Sequence, residues 1–354
     1  MQRLFHFSSC SRAKSHIDQQ MSVFSKLSTC LASSPDGEGI IGNVVPLEVE
    51  NRICQFMSLE DLLAYGNTSG IHRLQIQDFM RRVTNDEIRP FCRDPRALLD
   101  LLWRTSSIIS GSVALAALIT FELRNWQPED MDIYTTTKQV KRILEHLKTK
   151  ERFEVAVRVT KGNSEYDKLG SIKEVIKLVN ERGRRLDVIV SSQKCAFTAT
   201  LRFYGSQVVN GITGRGLICA YPQLLFAYRA MLNAGATNPI HASVPLSVQR
   251  CMVKYTMRGF TFDTNPVAFW KAPHTCAISK SCPHTIRHLF DRGTMVIAFH
   301  DAQREEAFID NKMSKVFRGR YQNVWCFGGD ACDIFIDEPV RTAAFLMELR
   351  RIPV

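Results

Sequence analysis

The chain has 354 residues, 45% of them hydrophobic, which excludes a wholly disordered protein and leaves room for two or three domains. Its net charge of +11 points to phosphate-bearing partners such as nucleotides, nucleic acid or acidic lipid; the alternative is a solvated basic surface without a partner. No apolar run reaches the ~20 residues that cross a bilayer, and the best candidate, 113–121, has about half that length and reads as a buried helix. The cysteines number eleven, an odd count with no secretory signal ahead of them, which predicts reduced thiols in the cytosol or nucleus.

Residues 1–40 read as a disordered tail, Ser-rich and ending in the loop-forming string Ser33-Ser34-Pro35-Asp36-Gly37. Arg3, Arg12 and Lys14 before the first acid, Asp18, give its start a weak likeness to a mitochondrial transit segment. Structure is expected from Val45. Pro46 suits the first turn of a helix, with Glu48 and Glu50 near its positive end. Ser58 reads as the N-cap of a second helix, with Asp61 as its acidic partner. A third helix is expected through His72, Leu74, Ile76 and Phe79. The run from Val45 to Ile53, followed by Ser58-Leu59-Glu60-Asp61-Leu62, resembles an F-box. That resemblance covers 41–90 and implies docking onto a Skp-type adaptor of a cullin ubiquitin ligase. A helical cap on the next domain is the alternative.

From Asp94 the pattern changes. Asp94-Pro95 opens a helix carrying Leu98, Leu99, Leu101 and Leu102. Ser107-Ile108-Ile109-Ser110 reads as a short buried strand, Gly111-Ser112 as a tight turn, and 113–121 as a helix. A polar turn over 124–129 leads into Met131-Asp132-Ile133-Tyr134. Thr136 or Thr137 is expected to cap a helix over 140–147. Strands are expected over 153–159, 172–179 and 186–190, and this alternation predicts an α+β domain with a mixed sheet.

Gly111-Ser112, Asp130, Asp132 and Asp187 come in a meaningful order. Carboxylates at i and i+2 on a strand share a face. Asp187, on a neighbouring strand, can reach that face. Crowded carboxylates call for a cation, and hard oxygen donors suit Mg²⁺, which shares its shell with substrate phosphates. Gly111 allows close backbone approach to a phosphate, and the helix N-terminus beyond Ser112 offers free N–H groups.

This combination resembles the nucleotidyltransferase superfamily related to DNA polymerase beta. The resemblance covers 91–235. It implies that Gly111 and Ser112 hold a triphosphate. Asp130 and Asp132 would ligate Mg²⁺. Asp187 would complete the metal site and favour deprotonation of an attacking hydroxyl. The expected function is Mg²⁺-dependent nucleotidyl transfer from an NTP to a hydroxyl acceptor. The alternative is an F-box-type adaptor whose nucleotidyltransferase-like domain binds a ligand without turnover. Asn125-Trp126-Gln127-Pro128 lengthens the usual interval between the Gly-Ser turn and the acids. Together with Lys254-Tyr255 and Arg258-Gly259, the whole set is similar to a large group of proteins from mushroom-type fungi, which implies a shared architecture.

The remaining region, 236–354, reads as a C-terminal α+β extension. A helix is expected over 224–232 and a linker over 235–241. A further helix is expected over 246–257, with Val248, Met252, Val253 and Met257 on its apolar side. Cys276, Cys282, His284 and Cys332 are candidate zinc ligands, with His274, His288 and Cys326 nearby in sequence. No Cys-x₂-Cys knuckle is present, and buried thiols with surface imidazoles are the alternative.

Overall fold

The structure is a computed structural model and describes residues 46–119, 121–160, 171–233, 244–263, 278–300 and 323–328. The chain divides into two compact units, 1–51 and 52–354, and of the first unit residues 46–51 are described. The linker expected over 235–241 lies outside the described residues.

Three helices come first: α1 (Leu47–Phe56), α2 (Leu59–Gly66) and α3 (Gly70–Ile88). Ser58 caps α2 as its sequence predicts. Its Oγ accepts from the Asp61 N–H at 3.1 Å and donates to Asp61 Oδ2 at 2.6 Å. Helix α4 (Pro95–Thr105) starts on Asp94, whose carboxylate accepts from the Ala97 N–H at 2.9 Å, with Pro95 in the first turn.

An eight-stranded sheet follows, and the fold is mixed α+β with helices flanking a mixed sheet. The strands are β1 (Ile108–Ser110), β2 (Asp130–Thr136), β3 (Phe153–Thr160), β4 (Ile172–Asn180), β5 (Arg185–Ser191), β6 (Asn210–Thr213), β7 (Gly216–Cys219) and β11 (Met295–Ala298). Their order is β11-β7-β6-β1-β2-β5-β4-β3, with β2 and β5 parallel and the other pairs antiparallel. Two two-stranded sheets stand apart: β8 (Arg229–Met231) with β9 (Thr261–Asp263), and β10 (Arg287–His288) with β12 (Val324–Trp325).

Alternate residues of the large sheet enter two hydrophobic clusters. Ile109, Ile133, Val188 and Leu217 belong to one; Ile108, Tyr134, Ile189 and Ile218 belong to the other. A sheet covered on both faces needs near-continuous apolar strands, which is why Leu186 to Val190 is apolar except at Asp187. Helix α5 (Gly111–Leu118) is buried at every position and sits in the middle of this core. The buried residues of α2 and α3 join the same cluster as Ile109 and Ile133.

Several expectations are corrected. The helix placed over 113–121 starts at Gly111 and ends at Leu118, since Ile119 turns extended (φ −117°, ψ 105°). Helix α6 (Val140–Thr149) has Gln139 at its N-cap, not Thr136 or Thr137, because β2 runs on to Thr136. The helix expected over 224–232 is the short α7 (Pro222–Phe226). Tyr228 then adopts a left-handed conformation (φ 51°), and the following residues pair as β8 with β9. Helix α8 (Leu246–Thr256) buries Tyr255 and leaves Val253 and Met257 61% and 79% exposed. The expected apolar side was therefore half wrong: Val248 and Met252 are partly buried, with Tyr255, on the inner side.

Candidate active site

Strand register builds the site. Along one face of the sheet, Ile108, Tyr134, Ile189 and Val175 form a cross-strand row, all buried. Two residues further along each strand, the next row of that face is Ser110, Asp132, Asp187 and Lys177. The polar row therefore lies directly against a dry one, at the end of the sheet where α5 begins.

Gly111 closes one side. Its φ is +67°, and a Cβ there would sit 2.4 Å from Asp132 Oδ2. Only glycine allows both the turn and the close approach. Ser110 holds the N-cap position of α5 without a side-chain capping bond; its hydroxyl donates instead to the Asn210 carbonyl at 2.6 Å. Ser112 is 4% exposed, and its Oγ meets no hydrogen-bond partner among the described residues. The helix start thus presents an uncapped N-terminus with a buried, unused hydroxyl in its first turn.

The acids are strongly coupled. Burial first, then the charges of Asp130 and Asp187, push Asp132 up to about 8; the ammoniums of Lys254 and Lys177 pull it back. Lys177 Nζ lies 2.9 Å from Asp187 Oδ2. On the strand pair's outer margin, Glu129 meets Arg185 at 3.6 Å.

Helix α8 and the turn after it bring further charges and rings near the acids. Lys254 acts on Asp132, while Tyr255 and Arg258 both feel Asp130. Arg258 stacks between two rings, 4.0 Å from the Trp126 centroid and 5.0 Å from that of Tyr255. It is 8% exposed, and its Nη1 has no hydrogen-bond partner among the described residues. Burial lowers its pKa, against the pull of Tyr255, Glu129, Tyr204 and Asp130. Trp126 sits on the inserted 125–128 segment. That segment is pinned by Arg124, which donates to the Trp126 carbonyl at 2.6 Å and forms a buried ion pair with Glu87 of α3. The insertion noted in the sequence therefore delivers a ring to the arginine.

Gly111, Ser112, Asp130, Asp132 and Asp187 are thus brought together. Sequence reasoning did not single out Ser110, Lys177, Asn210 or Gln207, and quoted Lys254 and Arg258 without assigning a role. Asn210 donates its amide to the Gln207 carbonyl at 2.9 Å, leaving Asn210 Oδ1 without a partner among the described residues. Strand alternation could have flagged Lys177; nothing local could have flagged Asn210.

Comparison with known proteins adds little. No family model matches the chain, and no curated protein matches it. A solved CCA-adding enzyme, in its apo form I, aligns at 12% identity and a TM-score of 0.31, over 50% of this chain and 42% of its own.

Among the described residues, no group of three or more His, Cys, Asp or Glu side chains is placed to hold a metal ion. For zinc, Cys282 and His284 are buried, whereas Cys276 and Cys332 lie outside the described residues. For Mg²⁺, the donor chemistry fits: two carboxylates two apart on β2, a third beside them, and Asp132 driven toward protonation by burial and then by the other two. Asp187 is already engaged by Lys177, so the cation would rest on Asp130 and Asp132 with ligand oxygens completing its shell. A cleft of about 430 Å³ near Leu63, Arg73, Ile76 and Phe290 is lined by none of these acids. Among the described residues no helix is long and apolar enough to cross a membrane.

Proposed function

We propose that the chain binds a nucleoside triphosphate with Mg²⁺ and transfers its nucleotidyl group to a hydroxyl acceptor. The observation that carries this reading is the row Ser110–Asp132–Asp187, closed by Gly111 at positive φ. It sets an uncapped helix N-terminus beside clustered carboxylates, an anion receptor next to a cation receptor. A triphosphate with its metal needs both.

In this reading the α5 N-terminus and Ser112 Oγ hold phosphate oxygens. Arg258, desolvated and already oriented by two rings, donates its unused N–H to another. Mg²⁺ would neutralise the phosphates and polarise the α-phosphoryl group. The acceptor oxygen forms a bond to the α-phosphorus, the bond to the β-phosphate oxygen breaks, and pyrophosphate leaves. The proton of the hydroxyl passes to a carboxylate of the acid row.

The test is incubation of the full chain with Mg²⁺ and each α-labelled NTP, offering RNA, a protein hydroxyl or a small alcohol as acceptor. Pyrophosphate release with label transfer by the wild type, and none by Asp130→Ala/Asp132→Ala, supports the reading. Equal signal from both proteins rejects it.

A second reading, adaptor docking through the F-box-like helices, is favoured by the exposure of Phe56, Ile71 and Leu74 on α1 and α3. Pull-down with a Skp-type adaptor decides it. Capture by the wild type and loss on Ile71→Asp/Leu74→Asp supports docking; no capture by the wild type removes it.

A further inference from the structure

We propose that the cleft of about 430 Å³ between α3 and β11 is a docking groove for an extended peptide of a partner protein, apolar at its centre and acidic at its ends, which adds a strand to the edge of the large sheet. The groove shares no residue with the acid row and is independent of the nucleotide reading.

The open edge follows from the register. β11 ends the strand order, with β7 on one side and no strand on the other among the described residues. In an antiparallel pair, alternate residues turn both backbone groups toward the partner, and the residues between turn theirs away. The Phe299 N–H donates to the Arg215 carbonyl at 2.9 Å, so Phe299, and with it Ile297 and Met295, face β7. Val296, Ala298 and His300 therefore turn their N–H and C=O groups off the sheet. His300 shows the direction: its carbonyl accepts from Arg81 Nε of α3 at 3.0 Å. Val296 and Ala298 continue that edge and line the cleft, and their outward groups meet no partner among the described residues. An edge of this kind is a template for another strand. The two residues lie about 7 Å apart along the strand, and an extended peptide repeats its own groups at that spacing.

The lining sets the chemistry of the peptide. Across from the edge, α3 contributes Arg73, Ile76 and Gln77, on the side of the helix that carries Arg81. Leu63, Ile76 and Phe290 make the interior apolar, and Val296 is 36% exposed beside them. Apolar peptide side chains match these. Arg73 and Arg292 are exposed and bring two positive charges to the lining. Against them stands one carboxylate, Asp291, which Arg287 holds at 2.6 Å. That balance favours carboxylates on the peptide and opposes a basic one.

The probe is a bead-displayed library of hexapeptides, with Ile, Val, Phe or Thr at the four central positions and Glu, Lys or Thr at the two ends, offered to the full chain. Enriched peptides are expected to end in Glu and to bind in solution by fluorescence anisotropy. Arg73→Glu/Arg292→Glu, two exposed positions, should weaken the best peptide about tenfold. N-methylating that peptide one residue at a time should weaken it at every second position, since only alternate N–H groups can meet β11. The methylation series uses wild-type protein, so it decides even where the double variant fails to fold. No enrichment, as when the chain's own residues fill the groove, overturns the proposal. So does enrichment of Lys-ended peptides, binding that ignores the folded double variant, or an equal loss at every methylated position.

Discussion

Two buried arginines in this molecule are built alike and finished differently. Arg287 stacks on Tyr221 and Trp325, with centroids at 4.7 and 5.4 Å, and is 1% exposed. It donates to Asp291 Oδ2 at 2.6 Å, to the Lys280 carbonyl at 2.8 Å and to the Ala220 carbonyl at 2.8 Å. Arg258 has the same two-ring clamp, yet its Nη1 meets no acceptor among the described residues. A buried guanidinium N–H without an acceptor is costly, and that cost is what sets Arg258 apart from Arg287. The contrast is between an arginine that welds β10 to its surroundings and one with an unused N–H, which the proposed function gives to a phosphate oxygen.

Mutation should split the two most widely. Arg287→Met removes its hydrogen bonds to Asp291 and to the Lys280 and Ala220 carbonyls, and should cost about 2–4 kcal/mol in urea denaturation, with Asp291 keeping the Gly293 N–H and Lys280. Arg258→Met should change stability by less than about 1 kcal/mol, since few hydrogen bonds are lost. Its effect belongs in binding: loss of a charged hydrogen bond of about 1.5–3 kcal/mol weakens MgATP roughly tenfold to a hundredfold by calorimetry. Equal destabilisation by the two substitutions breaks the comparison.

A pair of carboxylates sharpens it with opposite signs. In metal-free protein, burial and its acidic neighbours hold Asp132 near 8, far above the ~4 of an unfolded aspartate. Its ionisation therefore destabilises the fold increasingly as pH rises from about 4 to 8. Asp132→Asn should melt higher than wild type at pH 8 in chelator, and equally with it at pH 4. Glu151 is the scaffold counterpart. Burial alone would raise it, but the His146 ring 3.7 Å away and the bonds from the N–H groups of Arg93 and Asp94 outweigh that and hold it below the ordinary range. Its contribution is present above the unfolded glutamate pKa and lost as pH falls through the folded one. Glu151→Gln should melt lower than wild type at pH 7 and converge with it in acid. Thermal melting against pH reads both. A small effect is also expected for Ser58→Ala, about 1 kcal/mol from a lost helix cap, with no change in nucleotide binding.

How much of this was legible in the sequence varies with the physics. Caps such as Ser58 and Asp94-Pro95 were readable because each satisfies its helix within three residues. The strands carrying the acids were readable because Leu186 to Val190 and Met131 to Tyr134 are apolar runs interrupted by aspartates. The helix over 224–232 was not, since Ala230 and Met231 pair with β9, thirty-two residues on. The inner side of α8 was missed for a related reason: Tyr255 packs near Tyr204 and Phe260, whereas Val253 and Met257 stay exposed. At the site, residue types suggested the acids and the Gly-Ser turn. The register that aligns Ser110, Asp132, Asp187 and Lys177 is a property of four strands together, and no single segment encodes it.

The most direct test of the central claim is calorimetric titration of the full chain with MgATP, set against Asp130→Ala/Asp132→Ala in the same buffer. The account predicts saturable, Mg²⁺-dependent binding by the wild type that chelator abolishes and the double variant lacks. Binding that persists unchanged in the double variant, or no binding by the wild type to any NTP, would contradict it.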